Sequence, residues 1–526
     1  MQHPSPGARD KVPRIARYAR LLVALTAIAV LAAGLYRLEG ETSGLTVTRT
    51  AIGTTPVTVF RPTSSVRAPV VVIAHGFAGS QQLMQPFATT LARNGYIAVT
   101  FDFLGHGRNP VPMRGDITEG LTITSALLRE LGEIASYAKD LPASDGRLAV
   151  LGHSMASDIV VRFAQAHPET KATVAVSVFS PVVTADSPRN LLVIVGAIEP
   201  SVLSDEGLRI VNMAAGGKAV AGKTYGKFDN GTARRLVLAR GVEHIGVLYS
   251  KDSMTAALDW INSAFGRQAN DGIDRRGLSL ALVFLGLIAL AWPLASLLPV
   301  TADTPAGANL TWRPLLIAAV LPAILTPLIL WKLPTDFLSI LLGDYLALHF
   351  AIYGLLTGAA VYYLRPHESQ PDAAVHAPTV KWKAIGLAAI ALTVYQIAAF
   401  GFPIDRYVFS FYPIPSRIPL ITAIACGTFI YFIADEWLTR GAQAKRGAYA
   451  LTKVCFLLSL AIAVVLNPQK LFFLAIIVPA ILLLFLAFGL ISRWSYRATR
   501  HPLPGAIANA AVFAWAIAVT FPMIVR

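Results

Sequence analysis

The chain has 526 residues, 55% of them hydrophobic and only 14% charged, with a mean hydropathy of +0.57. Soluble globular proteins carry about 25% charged residues, so these values exclude a disordered chain, a fibrous repeat and a soluble enzyme along the whole length, and they fit a membrane protein or a soluble domain joined to one. The net charge of +15, from 45 Lys and Arg against 30 Asp and Glu, suits either nucleic acid or the cytoplasmic loops of a multi-span protein, and the placement of the charges decides between them.

Arg9, Lys11, Arg14, Arg17 and Arg20 precede an apolar stretch from Leu21 to Tyr36. A basic region before a hydrophobic run marks either a cleaved signal peptide or a retained anchor. The run of 16 residues is short for a full span of about 20. No clean small-residue cleavage site follows it, which favours an uncleaved anchor. In either case the following segment is exported.

From about residue 40 to 272 short apolar runs alternate with amphipathic segments and Gly/Pro/Asp turns. Pro69–Ala74, Ile97–Phe101, Arg147–Gly152, Ala172–Val178 and Leu191–Val195 read as buried strands, being β-branched, short and bounded by turn residues. Gln82–Asn94, Leu121–Lys139, Ala156–Ala166 and Met254–Phe265 read as helices between or after them. Alternating strands and helices predict a parallel sheet covered on both faces.

From Gly277 onward eight apolar segments follow, at about 278–299, 314–332, 337–364, 384–403, 417–435, 450–467, 470–492 and 505–525. Each is near the length needed to cross about 30 Å of hydrocarbon. With a cytoplasmic N-terminus, the predicted inside segments hold fifteen basic residues: Arg9, Lys11, Arg14, Arg17, Arg20, Arg313, Arg365, Lys381, Lys383, Arg440, Lys445, Arg446, Arg493, Arg497 and Arg500. The short outside segments hold seven, namely Lys332, Arg406, Arg417, Lys470, Arg526, Arg275 and Arg276. The asymmetry favours this orientation and accounts for much of the basic charge without nucleic acid. There is no repeat of fixed period, and His367–Pro378 reads as a polar cytoplasmic loop. Cys426 and Cys455 both lie in apolar runs, so no disulfide framework is available to the soluble part.

The strongest local signal is Arg147–Ser157, where an apolar strand runs into Gly152-His153-Ser154-Met155-Ala156 and a helix follows. This is the strand–elbow–helix setting of a G-x-S-x-G nucleophile, with Ala156 in place of the second glycine. The elbow would project the Ser154 hydroxyl above the sheet and leave the Met155 N–H free for an oxyanion. Strand Pro69–Ala74 ends in His75-Gly76-Phe77-Ala78-Gly79-Ser80, which would supply a second amide from Phe77; the plainer alternative is a Gly-rich turn. In Phe101-Asp102-Phe103-Leu104-Gly105-His106-Gly107 a structural turn is expected, with His106 a loop residue rather than a base.

Over roughly residues 55–266 these motifs resemble the α/β-hydrolase fold serine hydrolases, esterase- or lipase-like, here fused to a multi-span membrane domain. The resemblance implies an α/β fold with a mostly parallel sheet and no sizeable cap, plus an all-α polytopic transmembrane bundle. It implies the chain order Ser, acid, His. Glu199 lies three residues beyond Gly196 at a strand end, where the family places its acid, with Asp186 and Asp205 as substitutes if Glu199 is a surface residue. Arg235–Ala239 reads as the last strand, and His244 after it is the one His following Glu199 in the exported part. The implied catalytic set is Ser154, His244 and Glu199, with Phe77 and Met155 as the oxyanion hole, acting through an acyl-enzyme. Neither a cofactor nor a metal is expected, and the partners expected are a small-molecule or lipid acyl substrate and membrane lipids.

The expected organisation is a basic cytoplasmic N-terminus over residues 1–20, a signal-anchor over 21–39, an extracytoplasmic hydrolase domain over 40–272 and a domain of about eight transmembrane helices over 277–526, in the inner (cytoplasmic) membrane. Only about a dozen residues, Phe179–Asn190, join the two strands between which the family often inserts a lid. The bundle is therefore the candidate cover, and it would favour lipid-like acyl esters. Within the spans Asp344, His349, Tyr395 and Gln396 stand out, as intramembrane polar groups do; Tyr345 shares a helix face with His349, and buried hydrogen bonding between spans, or a position close to the interface, is the plainer reading for them. Two other functions stay open: an acyltransferase using a membrane-bound acceptor, and a non-catalytic ligand-binding domain of a transporter or sensor.

Overall fold

A computed structural model describes residues 14–64, 66–115, 120–268, 271–365 and 379–525. The loop expected at His367–Pro378 and the basic residues Arg9, Lys11 and Arg526 lie outside these. The first element, α1 (Arg14–Gly40), begins well before the apolar run, because the arginines that precede that run are themselves good helix formers.

Two strands missing from the sequence reading come next. β1 (Leu45–Ile52) and β2 (Thr55–Pro62) form an antiparallel hairpin with Ile52 opposite Thr55, turning through Gly53 at φ +56°. There follow β3 (Ala68–Ala74), α2 (Gln85–Arg93), β4 (Ile97–Phe101), the short β5 (Met113–Arg114), α3 (Gly120–Lys139), β6 (Ser144–His153), α4 (Met155–Ala166), β7 (Ala172–Val176), β8 (Leu191–Gly196), α5 (Ser201–Ala215), β9 (Arg234–Ala239) and α6 (Lys251–Phe265). The helix expected at Gln82–Asn94 is in fact a 3₁₀ turn, Gln81–Met84, leading into α2, whose second residue is Pro86.

The eight-stranded sheet has the order β1-β2-β4-β3-β6-β7-β8-β9, antiparallel over its first three strands and parallel thereafter. β3, β4, β7 and β8 are buried at every residue, as strands covered on both faces must be, and their Val/Ile/Ala runs reflect that. Between β7 and β8 there is no helix.

The second half is helical: α7 (Arg276–Ala295), α8 (Trp312–Leu330), α9 (Gly343–Leu364), α10 (Trp382–Val394), a π-helical stretch (Tyr395–Phe400) leading into α11 (Gly401–Tyr407), α12 (Ile418–Thr439), α13 (Ala448–Leu466), α14 (Pro468–Thr499) and α15 (Leu503–Thr520). A final strand, β10 (Ile524–Val525), pairs in parallel with β5. Among the described residues nine helical segments, α1 and eight in this half, are long and apolar enough to cross a membrane.

The two halves are joined by specific polar contacts. Arg276 at the start of α7 pairs with Asp274 (2.7 Å) and donates to Gln85 Oε1 on α2. Arg108 makes a forked pair with Asp405 (2.6 and 2.7 Å). The fully buried Arg417 donates to the carbonyls of Ala518 (2.6 Å), Phe521 (2.8 Å) and, in the α/β half, Gly105 (2.8 Å). The Met523 amide donates to Gly105 O, and the Met113 amide donates to Met523 O. These contacts sit at the start of α7, the end of α11, the start of α12 and just after α15. If the nine apolar segments cross alternately, all of those ends fall on one side.

Candidate active site

β6 delivers Ser154 into an elbow. Its φ of 54° and ψ of −118° are unusual for a residue with a side chain, the kind of local strain that collects at functional positions. The turn tolerates only glycine at 152, because a Cβ there would come within 2.3 Å of the Ala156 carbonyl oxygen. At 156 the small, fully buried Ala is accommodated, which explains why the departure from glycine is harmless.

His244, after β9, turns its Nε2 to Ser154 Oγ at 3.0 Å and its Nδ1 to Glu199 Oε2 at 2.6 Å. Glu199 Oε1 accepts from the Gly196 amide (2.7 Å) and from Ser177 Oγ (2.8 Å). The Glu199 side chain is 0% exposed and the His244 side chain 19%, so the carboxylate is shielded while the imidazole can meet a substrate. The acid, base and nucleophile expected from the sequence are thus in one hydrogen-bonded line. Asp186 and Asp205 are outside it; Asp205 is exposed on α5.

Two residues of this cluster escaped the sequence reading. Ser177, at the end of β7, orients the carboxylate; a hydroxyl at the tip of the strand beside the nucleophile's own is the signal that could have found it. His153 packs its ring 4.8 Å from that of His244 and donates from Nε2 to the His244 carbonyl (3.0 Å). Burial, then the neighbouring His244, holds the His153 pKa well below the usual histidine range, so it acts as a neutral strut.

The loop after β3 lies against the nucleophile. A Cβ on Gly76 would stand 2.9 Å from Ser154 Cβ, so a glycine is needed for that approach. His75 fixes the loop: Nδ1 donates to Gly76 O (2.8 Å), and Nε2 accepts from the Phe103 amide (3.1 Å). Burial lowers the His75 pKa, consistent with the neutral tautomer that this pattern needs. Among the described residues the Phe77 and Met155 amides have no hydrogen-bond partner; Phe77 follows Gly76 and Met155 follows Ser154 in the chain. The turn after β4 is structural, as expected: Asp102 accepts from the Gln81 and Arg108 amides (2.8 and 3.0 Å), and buried His106 donates to Leu104 O (2.9 Å).

The bundle reaches this loop. The Phe77 ring stacks on Phe473 of α14 at 4.2 Å and meets Phe521 at 6.4 Å; Ala78 and Leu104 also pack against the bundle core.

The sheet order, the strained serine elbow and the Ser154–His244–Glu199 line decide the fold. The N-terminal part of the chain has the α/β-hydrolase fold. The family model described as serine aminopeptidase, S33 matches residues 65–205, a stretch that includes Gly76, Ser154 and Glu199 and stops before His244. Among solved structures, a putative dienelactone hydrolase from Klebsiella pneumoniae is similar at 18% identity, covering 43% of this chain and 99% of that one with a TM-score of 0.33. TT1662 from Thermus thermophilus is similar at 14% identity, 43% and 99% coverage and a TM-score of 0.32. A thioesterase domain from the curacin biosynthetic pathway is similar at 22% identity, 25% and 44% coverage and a TM-score of 0.21. No curated protein matches.

Of the polar residues singled out within the spans, His349, Tyr395 and Gln396 bond to other helices, while Asp344 bonds to backbone at the start of its own. Asp344 accepts from the Phe337 and Tyr345 amides at the start of α9. His349 joins Tyr345 OH (3.4 Å) to Ser459 Oγ of α13 (3.1 Å). Tyr395 donates to Leu287 O, and Gln396 to Asn509. The sequence reading missed two buried ion pairs at the far end of the bundle, Asp435–Lys453 and Glu436–Arg440; each charge is matched, as burial requires.

Proposed function

We propose that the protein is a membrane-anchored serine hydrolase that cleaves carboxylic esters, and the observation that carries this reading is the hydrogen-bonded line from Ser154 through His244 to Glu199. His244 Nε2 takes the Ser154 proton as Oγ attacks the acyl carbon. The Phe77 and Met155 amides stabilise the tetrahedral oxyanion. Glu199 keeps the His244 proton on Nδ1 and steadies the imidazolium. The C–O bond breaks, the leaving alkoxide takes the proton from Nε2, and an acyl-Ser154 ester remains. Water, deprotonated by His244, then attacks that ester, releasing the acid and restoring the serine.

Labelling with a fluorophosphonate probe tests this. Wild type is expected to label and the Ser154→Ala protein to remain unlabelled and inert toward p-nitrophenyl esters; equal labelling of the two sinks the reading. A second reading, acyl transfer, is favoured by the contact of Phe77 with α14, which would bring a membrane-resident alcohol near the acyl-enzyme; mass analysis of the products separates transfer from hydrolysis.

We further propose that the α/β domain lies outside the cytoplasmic membrane. Lys and Arg crowd the segments remote from that domain, and the span ends that touch it alternate as this topology demands. A reporter fused after Phe265 should register export; a cytoplasmic signal would refute the orientation.

A further inference from the structure

Three features of the bundle fix the depth of the site. On α8, exposed Trp312 and Trp331 (46% and 47%) stand 19 residues apart, which is about 28 Å along a helix, close to the hydrocarbon thickness of about 30 Å. Such tryptophans mark the two membrane–water boundaries, so Trp331 marks the boundary on the side of the α/β domain. Trp331 is level with the first turn of α14, since Trp331, Leu333, Thr335, Lys470 and Leu471 share the lining of one cavity of about 30 Å³. Lys470 also pairs there with Asp336 and bonds Thr335 Oγ1, charged chemistry that belongs to the headgroup zone. Two residues further on come Phe472, 58% exposed, and Phe473, stacked on Phe77. Counted the other way, Phe473 is 21 residues from Trp494 on the same helix, again about 30 Å.

The loop expected to bind the oxyanion therefore rests where hydrocarbon meets headgroup. That is the level at which the acyl carbonyls of bilayer lipids lie. Exposed Phe179, Ile198 and Ile245 each follow or precede a residue of the Ser177–Glu199–His244 cluster by one or two positions, so apolar side chains flank that cluster along the chain.

Taking Ser154 as the nucleophile, we propose that the substrate is a long-chain acyl ester resident in the bilayer, attacked at its carbonyl without leaving the membrane. The first turns of α14, Phe472 foremost, form the wall along which its chain approaches. This replaces the absent lid: the bundle covers the site and also admits the substrate.

Full-length protein in vesicles of phosphatidylethanolamine and phosphatidylglycerol provides the test. Turnover of p-nitrophenyl palmitate dissolved in the bilayer is compared with that of p-nitrophenyl acetate in the water. Phe472→Glu puts a charge on the approach path at an exposed side chain whose one aromatic ring partner is Phe473. It should cut palmitate turnover by roughly tenfold or more, the loss expected when an apolar contact with the acyl chain is replaced by a charge, and leave acetate turnover within about twofold. An equal loss on both esters, or no loss on palmitate, overturns the proposal. As a second measurement, the wild-type preference for palmitate should fall when vesicles are replaced by detergent micelles; an unchanged preference also overturns it. The serine hydrolase reading fails separately, if Ser154→Ala still hydrolyses acetate.

Discussion

Replacing Glu199 by Gln isolates the work of one carboxylate oxygen. The amide can take only one orientation. The Gly196 N–H, 2.7 Å from Oε1, is a donor and nothing else, so it must keep the amide oxygen, and Ser177 Oγ donates to the same atom. The amide nitrogen is left facing His244 Nδ1 in place of Oε2, at the 2.6 Å contact. It then donates to Nδ1 and drives the imidazole proton onto Nε2, the atom that must accept from Ser154. A change from carboxylate to amide in a serine triad lowers turnover about ten-thousand-fold by this tautomer effect, or about 5.5 kcal/mol of transition-state stabilisation at about 1.4 kcal/mol per tenfold. Two of the three hydrogen bonds survive, so the thermal midpoint should barely move. The assay is kcat/KM for p-nitrophenyl butyrate with purified full-length protein, alongside a melting curve. A fall of less than about tenfold with the fold intact would show that Glu199 does not set the His244 tautomer.

Glu130 on α3 accepts from Thr55 Oγ1 (2.6 Å), the Leu104 amide (2.8 Å) and Asn109 (2.9 Å), and burial pushes its pKa up to about 7. The folded state holds this proton more tightly than the unfolded chain, so stability is highest in acid and should fall as pH rises from about 4.5 to about 7, by up to about 1.4 kcal/mol per pH unit. Melting in detergent across this range, with Glu130→Gln as the comparison, should show the slope in wild type alone; an opposite slope refutes the assignment. Arg417→Met strips three carbonyls of a charged donor, a loss on the order of 4 kcal/mol, and should lower the melting temperature and loosen the Gly105 loop toward proteolysis. Unchanged melting would mean that the clamp between the halves is redundant.

The buried strands and the nucleophile elbow were legible because each is a local pattern: Val70–Ile73 is fully buried and β-branched, and Gly152 is forced by atoms four residues away. Glu199 and His244 were legible through chain order, which fixes which strand ends can meet. The β1–β2 hairpin carried its own signal, Thr/Val alternation around Gly53, but β1 is a half-open edge strand, and β2, though paired on both sides, interrupts its apolar residues with Thr58 and Arg61, so neither shows the apolar run that singled out the others. α5 starts after Pro200 with no side-chain cap and no acidic residue in its first turn, so no start signal marks it. The bundle as candidate cover followed from the short Phe179–Asn190 link, but the residues that make the contact could not be read. Phe77 finds Phe473 and Gly105 finds Arg417 across hundreds of residues, and no local spacing encodes such partners.

The pairing of β10 with β5 also sets an order of events. Met113 and Arg114 leave the ribosome about four hundred residues ahead of Ile524 and Val525, which at 5–20 residues per second is roughly 20–80 s. During that interval the sheet can close, yet the loop beside the serine has no clamp, since Arg417, Phe473 and Met523 are still to be made. The final packing around the Gly105 loop is thereby tied to the arrival of α15 and the segment after it.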